Sequence, residues 1–117
     1  AIVHSKGKQL EVIFPSELLS HTILFVRLLR ESKDLEKKPS VRASIGLYER
    51  AQANAILSKR KTVAQEDIDE AVISVISHRI QLKPSVRYLQ SPEQFVLTHY
   101  KAFSAQEADR QDRGGGL

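Results

Sequence analysis

Residues 39–58 read PSVRASIGLYERAQANAILS, and this stretch decides the fold. A serine after a proline is typical of a helix start, because its hydroxyl can accept a free backbone N–H of the first turn. Small residues then recur along the run, which lets a neighbouring helix approach closely. Three basic residues follow at 59–61, where positive charge suits the C-terminal end of the helix dipole. We therefore predict a helix over about 39–58 that packs against another helix.

Three further helices are predicted from apolar residues at helical spacing. The first has Ser16 as its N-cap and ends near Arg30, and additional apolar residues around Phe25 predict burial on most of its sides. The third spans about 65–78 and has acidic residues crowded into its first turn, where the dipole favours them. The fourth begins at residues 91–94, SPEQ, which offer a serine cap, a proline at the first helical position and a capping-box glutamine.

The two ends of the chain lack these helix signals. Residues 1–14 predict an extended lead with a turn at Gly7 and no second strand to pair with. Residues 105–117 contain no large apolar residue except Leu117 and close on three glycines, which predicts a disordered tail. We therefore expect an all-α fold, a small four-helix bundle over residues 15–104 with an extended N-terminal lead and a disordered C-terminal tail.

Length, composition and charge restrict the function. The 117 residues suffice for one domain, and the absence of cysteine excludes disulfides and thiolate chemistry. We expect a cytoplasmic protein without a membrane partner, because no apolar run approaches about 20 residues. Residues 27–61 hold ten basic and four acidic residues, whereas residues 62–76 hold four acids and no base. This asymmetry suggests an anionic partner or head-to-tail docking, and two solvated helix faces would account for it equally well.

The sequence carries no recognisable catalytic constellation. No glycine-rich phosphate loop precedes a helix, and the four histidines stand far apart in sequence without paired metal ligands. We therefore expect neither a catalytic residue nor a metal site in this chain.

Arg42 is the candidate binding residue. It lies in the first turn of the second predicted helix, where a positive charge opposes the helix dipole and gains nothing locally. Such a side chain is explained if it reaches outward to an anion. The structural alternative is a salt bridge to Glu49 on the same helix or to Asp69 on the third.

Two runs in this region resemble the C-terminal helical lid of AAA+ ATPases. They are KPSVRAS at residues 38–44 and YERAQANA at residues 48–55, and the resemblance is closest to the MoxR and magnesium-chelatase branch. The shorter runs SKRKTV at 58–63 and SHRI at 77–80 follow in the order that these lids show, and the likeness covers residues 14–82.

The resemblance implies a function and a set of residues. Arg42 would be the sensor-2 arginine that contacts the phosphates of ATP, bound with Mg by the intact parent protein. His78 and Arg79 would form an interface that packs the lid against the AAA+ core. The parent would be an ATP hydrolase that assembles into a homo-oligomeric ring on an unknown client. Residues 1–14 would lead from that core, and the chain alone would be inactive because it contains no phosphate loop.

This sequence departs from the lid pattern at two positions. Ala64 stands where the lids place a threonine or serine cap, so that Thr62 or the backbone would have to replace the cap. The Ser58–Lys59 pair lacks the glycine that is usual in these lids, which leaves the turn less sharply defined. Two other classes of function remain open, a basic, histone-fold-like module that binds nucleic acid and a protein-interaction adaptor. We do not expect the nucleic-acid partner, because acids are mixed into the basic stretch and aromatic residues are few.

Overall fold

Residues 2–5 and 8–115 are described in the computed structural model, with side chains from Val12 to Arg110. The helices are α1 (Ser16–Arg30), α2 (Val41–Leu57), α3 (Gln65–Ala71), α4 (Pro84–Arg87) and α5 (Pro92–Gly115). The strands are β1 (Ile2–Ser5), β2 (Lys8–Glu11), β3 (Leu35–Lys37) and β4 (Gln81–Leu82). The prediction of an all-α fold is confirmed, and the short helix α4 adds a turn that the sequence did not indicate.

The third predicted helix changes its winding halfway along. α3 passes directly into a π-helical segment, Val72–Ile76, here called π1. The predicted position of this helix, 65–78, is therefore confirmed, but its second half has wider turns. π-Helical segments are rare and occur frequently at functional sites.

The core lies between α1, α2, α3–π1 and α5. From α1 it receives a stripe with the spacing i, i+3, i+4 and i+7, in which Phe25 and Leu29 are fully buried. The ring of Phe25 contacts that of Tyr100 on α5 edge-on, with the centroids 5.0 Å apart. The prediction that α1 is buried on most sides is wrong, since Leu24 and Leu28 are 36% and 43% exposed. One stripe suffices to join α1 to the core.

Both ends of the chain hold more regular structure than the sequence indicates. β1 pairs antiparallel with β2, so the lead folds back on itself, and the turn predicted at Gly7 lies outside the described residues. Beyond it, Ile13 forms a parallel bridge with Thr62. α5 continues through Gly115, across most of the predicted tail, and residues 116–117 are not described. Residues 105–113 contain two residues each of alanine, glutamine and arginine and one glutamate, which readily extend a helix that has already begun.

The predicted helix caps differ in outcome. The fourth helix has the predicted capping box, because Gln94 N donates to Ser91 Oγ and Ser91 N donates to Gln94 Oε1, both at 3.2 Å. The second helix starts where it was predicted, and Ser40 caps it by accepting from Ala43 N at 3.3 Å. Ser16 is not a cap, since it is already the first residue of α1 and the capping position falls on Pro15.

No helix in the described part of the chain is long and apolar enough to cross a membrane.

Candidate functional site

α2 and α3–π1 pack side by side in antiparallel directions. Near the end of α2, Asn54 Nδ2 donates to the carbonyl oxygen of Asp67 in α3 at 3.1 Å. Near its start, Gly46 lies against π1, where a Cβ atom on Gly46 would stand 3.5 Å from Cγ1 of Val75. Continuing this register brings the first turn of α2 to the level of the turn that follows π1.

Backbone hydrogen bonds tie the surrounding segments to the same end of the bundle. β3 pairs antiparallel with β4, and Lys83 N donates to Asp34 O at 2.9 Å. The half-buried Arg30, at the end of α1, donates from Nε to the carbonyl oxygen of Pro39 at 2.9 Å. Residues 30–42 and 77–83 therefore form one continuous surface, here called the cationic end.

Basic side chains outnumber acidic ones at the cationic end. The basic residues are Arg30, Lys33, Lys37, Lys38, Arg42, Arg79 and Lys83, and the acids are Glu31, Asp34 and Glu36. Among the described side chains, the salt bridges of this protein involve none of these seven cations. Seven positive against three negative charges leave an excess of four, which is available to an anion.

Arg42 is exposed in the first turn of α2, as the sequence predicts for a residue that reaches outward. Within the described residues its side chain makes no hydrogen bond and no ion pair. The alternative of a salt bridge is not realised, because neither Glu49 nor Asp69 pairs with it; Asp69 accepts from Tyr100 OH at 2.7 Å instead. The structure thus leaves this guanidinium without a partner inside the described chain.

His78 and Arg79 lie in the turn that follows π1, at the same end as Arg42. Their backbone N–H groups are satisfied locally, by Val75 O at 3.2 Å and Ile76 O at 2.9 Å respectively. Both side chains are exposed and make no hydrogen bond with described residues. The antiparallel register therefore places the three predicted site residues towards the same end of the helix pair.

At the opposite end of the helix pair, an arginine pairs with two acidic residues of the domain. Arg60, just after α2, donates from one terminal nitrogen to Glu66 and from the other to Asp67. The Asp67 side chain is 3% exposed, and its second oxygen accepts from Ala64 N at 2.8 Å. This carboxylate supplies one half of a capping box, because it accepts from the backbone N–H of the N-cap residue Ala64. Thr62 does not replace the missing serine or threonine and instead bridges to Ile13.

The turn between α2 and α3 contains a residue in a left-handed conformation. Lys59 has φ 60°, a value that glycine adopts without steric cost and lysine does not. Arg60 N donates to Ala55 O at 2.8 Å and Lys59 N donates to Ile56 O at 2.9 Å, which together make a Schellman motif. Lysine thus occupies the position where a glycine is the usual choice.

A second ion pair joins the middle of the two helices. Arg50 Nη2 lies 2.8 Å from Glu70 Oε1, and about half of each side chain is exposed. The hydrogen bond from Arg50, with a further one from Asn54, lowers the pKa of Glu70. The acids of α3 therefore pair with Arg50 and Arg60, whereas the seven cations of the cationic end form no salt bridge among the described side chains.

The chemistry available at the cationic end is anion binding. Guanidinium and ammonium groups form charge-assisted hydrogen bonds with phosphate and carboxylate oxygens. No group of three potential metal ligands occurs among the residues that the structure describes.

Comparisons with known proteins assign the family. The family model of the AAA lid domain matches residues 28–98, which include α2, α3–π1 and the cationic end. A crystal structure of a protein from Cytophaga hutchinsonii, described as a candidate ATPase, is similar with a TM-score of 0.70 and 26% identity. The likeness covers 78% of this chain and 31% of that protein, so the chain spans less than a third of its relative. No curated protein matches the sequence significantly. With more than half of its length matched by the family model, the chain belongs to the AAA lid domain family.

Proposed function

We propose that this domain senses the nucleotide of an AAA+ ATPase through Arg42. The observation that carries the proposal is the exposed guanidinium without a partner, at the start of a helix whose dipole disfavours it. An arginine in this position is stabilised only when its guanidinium binds an anion from outside the described chain. The phosphates of a bound nucleotide are such an anion in an AAA+ protein.

The residues of the cationic end fit ATP as the ligand. ATP would supply the phosphates that can be hydrolysed, and the Mg bound with it would neutralise part of their negative charge. Arg42 would hold the phosphates by charge-assisted hydrogen bonds, which draw the lid towards the core in the nucleotide-bound state. The excess positive charge around Arg42 would raise the local concentration of the anion before that contact forms.

His78 and Arg79 are proposed to dock the lid onto the AAA+ core. Both are exposed, both lie in the turn after π1, and neither contributes a side-chain hydrogen bond to the domain. Their removal should therefore cost the lid itself little, and their position towards the same end of the helix pair as Arg42 suits a surface shared by core and nucleotide. Docking of this kind couples nucleotide binding to the assembly of a homo-oligomeric ring.

The branch proposed is that of MoxR and magnesium chelatase, acting on an unknown client in the cytoplasm. The support is the order of the runs around residues 38–44, 58–63 and 77–80, which resemble the lids of that branch. A role in nucleic-acid binding is less well supported. Arg50 and Arg60 of the basic stretch are engaged by acids of α3, which leaves fewer of its cations available to phosphates.

Nucleotide-dependent assembly of the intact ATPase tests this function. Sedimentation velocity would compare the wild type, Arg42→Ala and Arg79→Ala with and without a non-hydrolysable ATP analogue. We expect the analogue to drive the wild type into a ring and to leave Arg42→Ala mostly unassembled. Lys61→Ala is the matched control, since it removes an exposed positive charge near the opposite end of α2. Equal assembly of the wild type and Arg42→Ala would contradict the proposal.

A further inference from the structure

A cavity of 520 Å³ opens between α1, α3–π1 and α5, on a part of the domain to which the proposed function gives no role. α3–π1 lines it with Gln65, Asp69 and Ile73, which are spaced four apart and so share one helix face. None of the lining residues comes from α2 or from the cationic end. The cavity, here called the α1–α5 groove, is therefore separate from Arg42, and its volume lies in the range of ligand-binding pockets.

Asp69 supplies a carboxylate to the α1–α5 groove whose position is fixed. Its Oδ1 accepts from Tyr100 OH at 2.7 Å and from Gln65 Nε2 at 3.0 Å. Gln65 Nε2 also donates to the oxygen of Tyr100 at 2.9 Å, which closes a small network. Both partners are neutral, so they orient the carboxylate without cancelling its charge.

The charge balance of the α1–α5 groove is negative. Glu17 and Glu107 join Asp69 in its lining, against the single ammonium group of Lys101. Glu107 is 15% exposed and pairs with Arg110 at 3.3 Å. Because the Arg110 side chain is 73% exposed, it neutralises the charge of Glu107 only weakly. Burial lowers the pKa of His21, so that its ring stays uncharged at pH 7. Three carboxylates thus face one cation, in a protein whose net charge is +4.

The remaining walls of the α1–α5 groove are apolar. Leu18 from α1, Ile73 from π1 and Leu97 from α5 line it, and Leu97 is 40% exposed. A ligand that combines an apolar stem with a cationic head would match both kinds of wall. Lysine and arginine side chains have this character, because they bury their methylene stems while the charged head stays at a polar site.

We propose that the α1–α5 groove docks a lysine or arginine side chain of a partner protein, with the cation at Asp69 and Glu107 and the stem against Leu18, Ile73 and Leu97. Charge complementarity commits the site to a cation. The apolar walls of the α1–α5 groove favour a side chain flanked by other apolar residues over a small hydrophilic amine. This docking does not depend on Arg42, so it can fail or hold independently of the proposed function.

A peptide titration of the 117-residue chain tests the proposal. The probe is a blocked pentapeptide with a central arginine between leucines, followed by amide chemical shifts of the ¹⁵N-labelled protein. We expect saturable shifts around Asp69, Ile73 and Leu97, and at least tenfold weaker binding when citrulline or glutamate replaces the arginine. Asp69→Asn combined with Glu107→Gln should weaken binding at least fivefold. Glu93→Gln, an exposed acid of α5 outside the groove, should not change it.

Three results would overturn the proposal. The first is the absence of saturable shifts at the groove. The second is equal affinity for the arginine and citrulline peptides, a comparison made on the wild type that holds even if the double variant does not fold. The third is binding of free n-butylguanidinium as tight as that of the peptide, which would assign the groove to a small cation instead of a docking segment.

Discussion

Arg60 donates a hydrogen bond to a carboxylate of Asp67 that is only 3% exposed, and this pair joins the exit of α2 to the first turn of α3. The other oxygen of the same carboxylate accepts from Ala64 N at 2.8 Å. One side chain thus serves as helix cap, ion-pair partner and link between two helices. At the other end of α2, Arg42 has no such partner in the described chain. Arg60 at one end of α2 therefore has a structural role, whereas Arg42 at the other end has the proposed functional role.

Replacement of Asp67 by alanine should destabilise the domain strongly. The hydrogen bond to Ala64 N and one partner of Arg60 are both lost, and the carboxylate removed is buried, so the loss should exceed that for an exposed ion pair. Glu66→Ala is the matched control, because Glu66 pairs with the same arginine but is 72% exposed. Its loss should cost no more than about 1 kcal/mol. Urea denaturation measures both values, and equal losses for the two variants would refute the structural role of Asp67.

Replacement of Lys59 by glycine should stabilise the domain. At φ 60° the Cβ atom of lysine is crowded, and its removal relieves about 1 kcal/mol of strain. Lys59→Ala is the control, since it removes the charged side chain but keeps the Cβ atom, and we expect little change from it. Thermal denaturation compares the two. If alanine stabilised as much as glycine, the gain would come from the lost side chain and not from the backbone.

The Arg50–Glu70 pair should make part of the stability dependent on pH. The bond from Arg50 lowers the pKa of Glu70, so the folded state favours the charged carboxylate. Its contribution is therefore present above the usual carboxyl pKa and is lost as the pH falls through the lowered value. Because each side chain is about half exposed, we expect it to amount to about 1 kcal/mol or less.

Glu70→Gln tests this dependence. The difference in unfolding free energy between the wild type and the variant should be present at pH 7 and should shrink as the pH is lowered below the usual carboxyl range. Glu93→Gln serves as the control, because Glu93 is an exposed acid that forms no ion pair among the described residues. A difference that grew on acidification would show that the carboxylate is not favoured by folding.

Local signals in the sequence predicted the features that depend on neighbouring residues. The capping box at Ser91 and Gln94, the helix start at Ser40 and the outward position of Arg42 all follow from the chemistry of one helix turn. The family resemblance assigned separate roles to Arg42 and to His78 and Arg79. That they lie towards the same end of the helix pair follows only from the antiparallel packing of α2 on α3–π1.

Features that depend on contacts between distant segments were not predicted. The pairing of Arg60 with Asp67 requires the turn at Lys59, and no spacing rule marks a lysine that takes the place of a glycine. The α1–α5 groove requires three helices to converge, so Asp69 and Tyr100 gave no signal in sequence. The exposed leucines of α1 were misjudged because hydrophobicity alone does not show which stripe of a helix meets the core.

ATP turnover by the intact ATPase carrying Arg42→Ala tests the central claim most directly, with the stability of the 117-residue chain measured on the same variant. We predict at least a tenfold fall in kcat, with only partial recovery in Arg42→Lys because an ammonium cannot reproduce the bidentate contact. The unfolding free energy of the chain should change by no more than about 1 kcal/mol, since the exposed side chain has no partner there. Unchanged turnover, or a stability loss as large as that of Asp67→Ala, would contradict the assignment of Arg42 to nucleotide sensing.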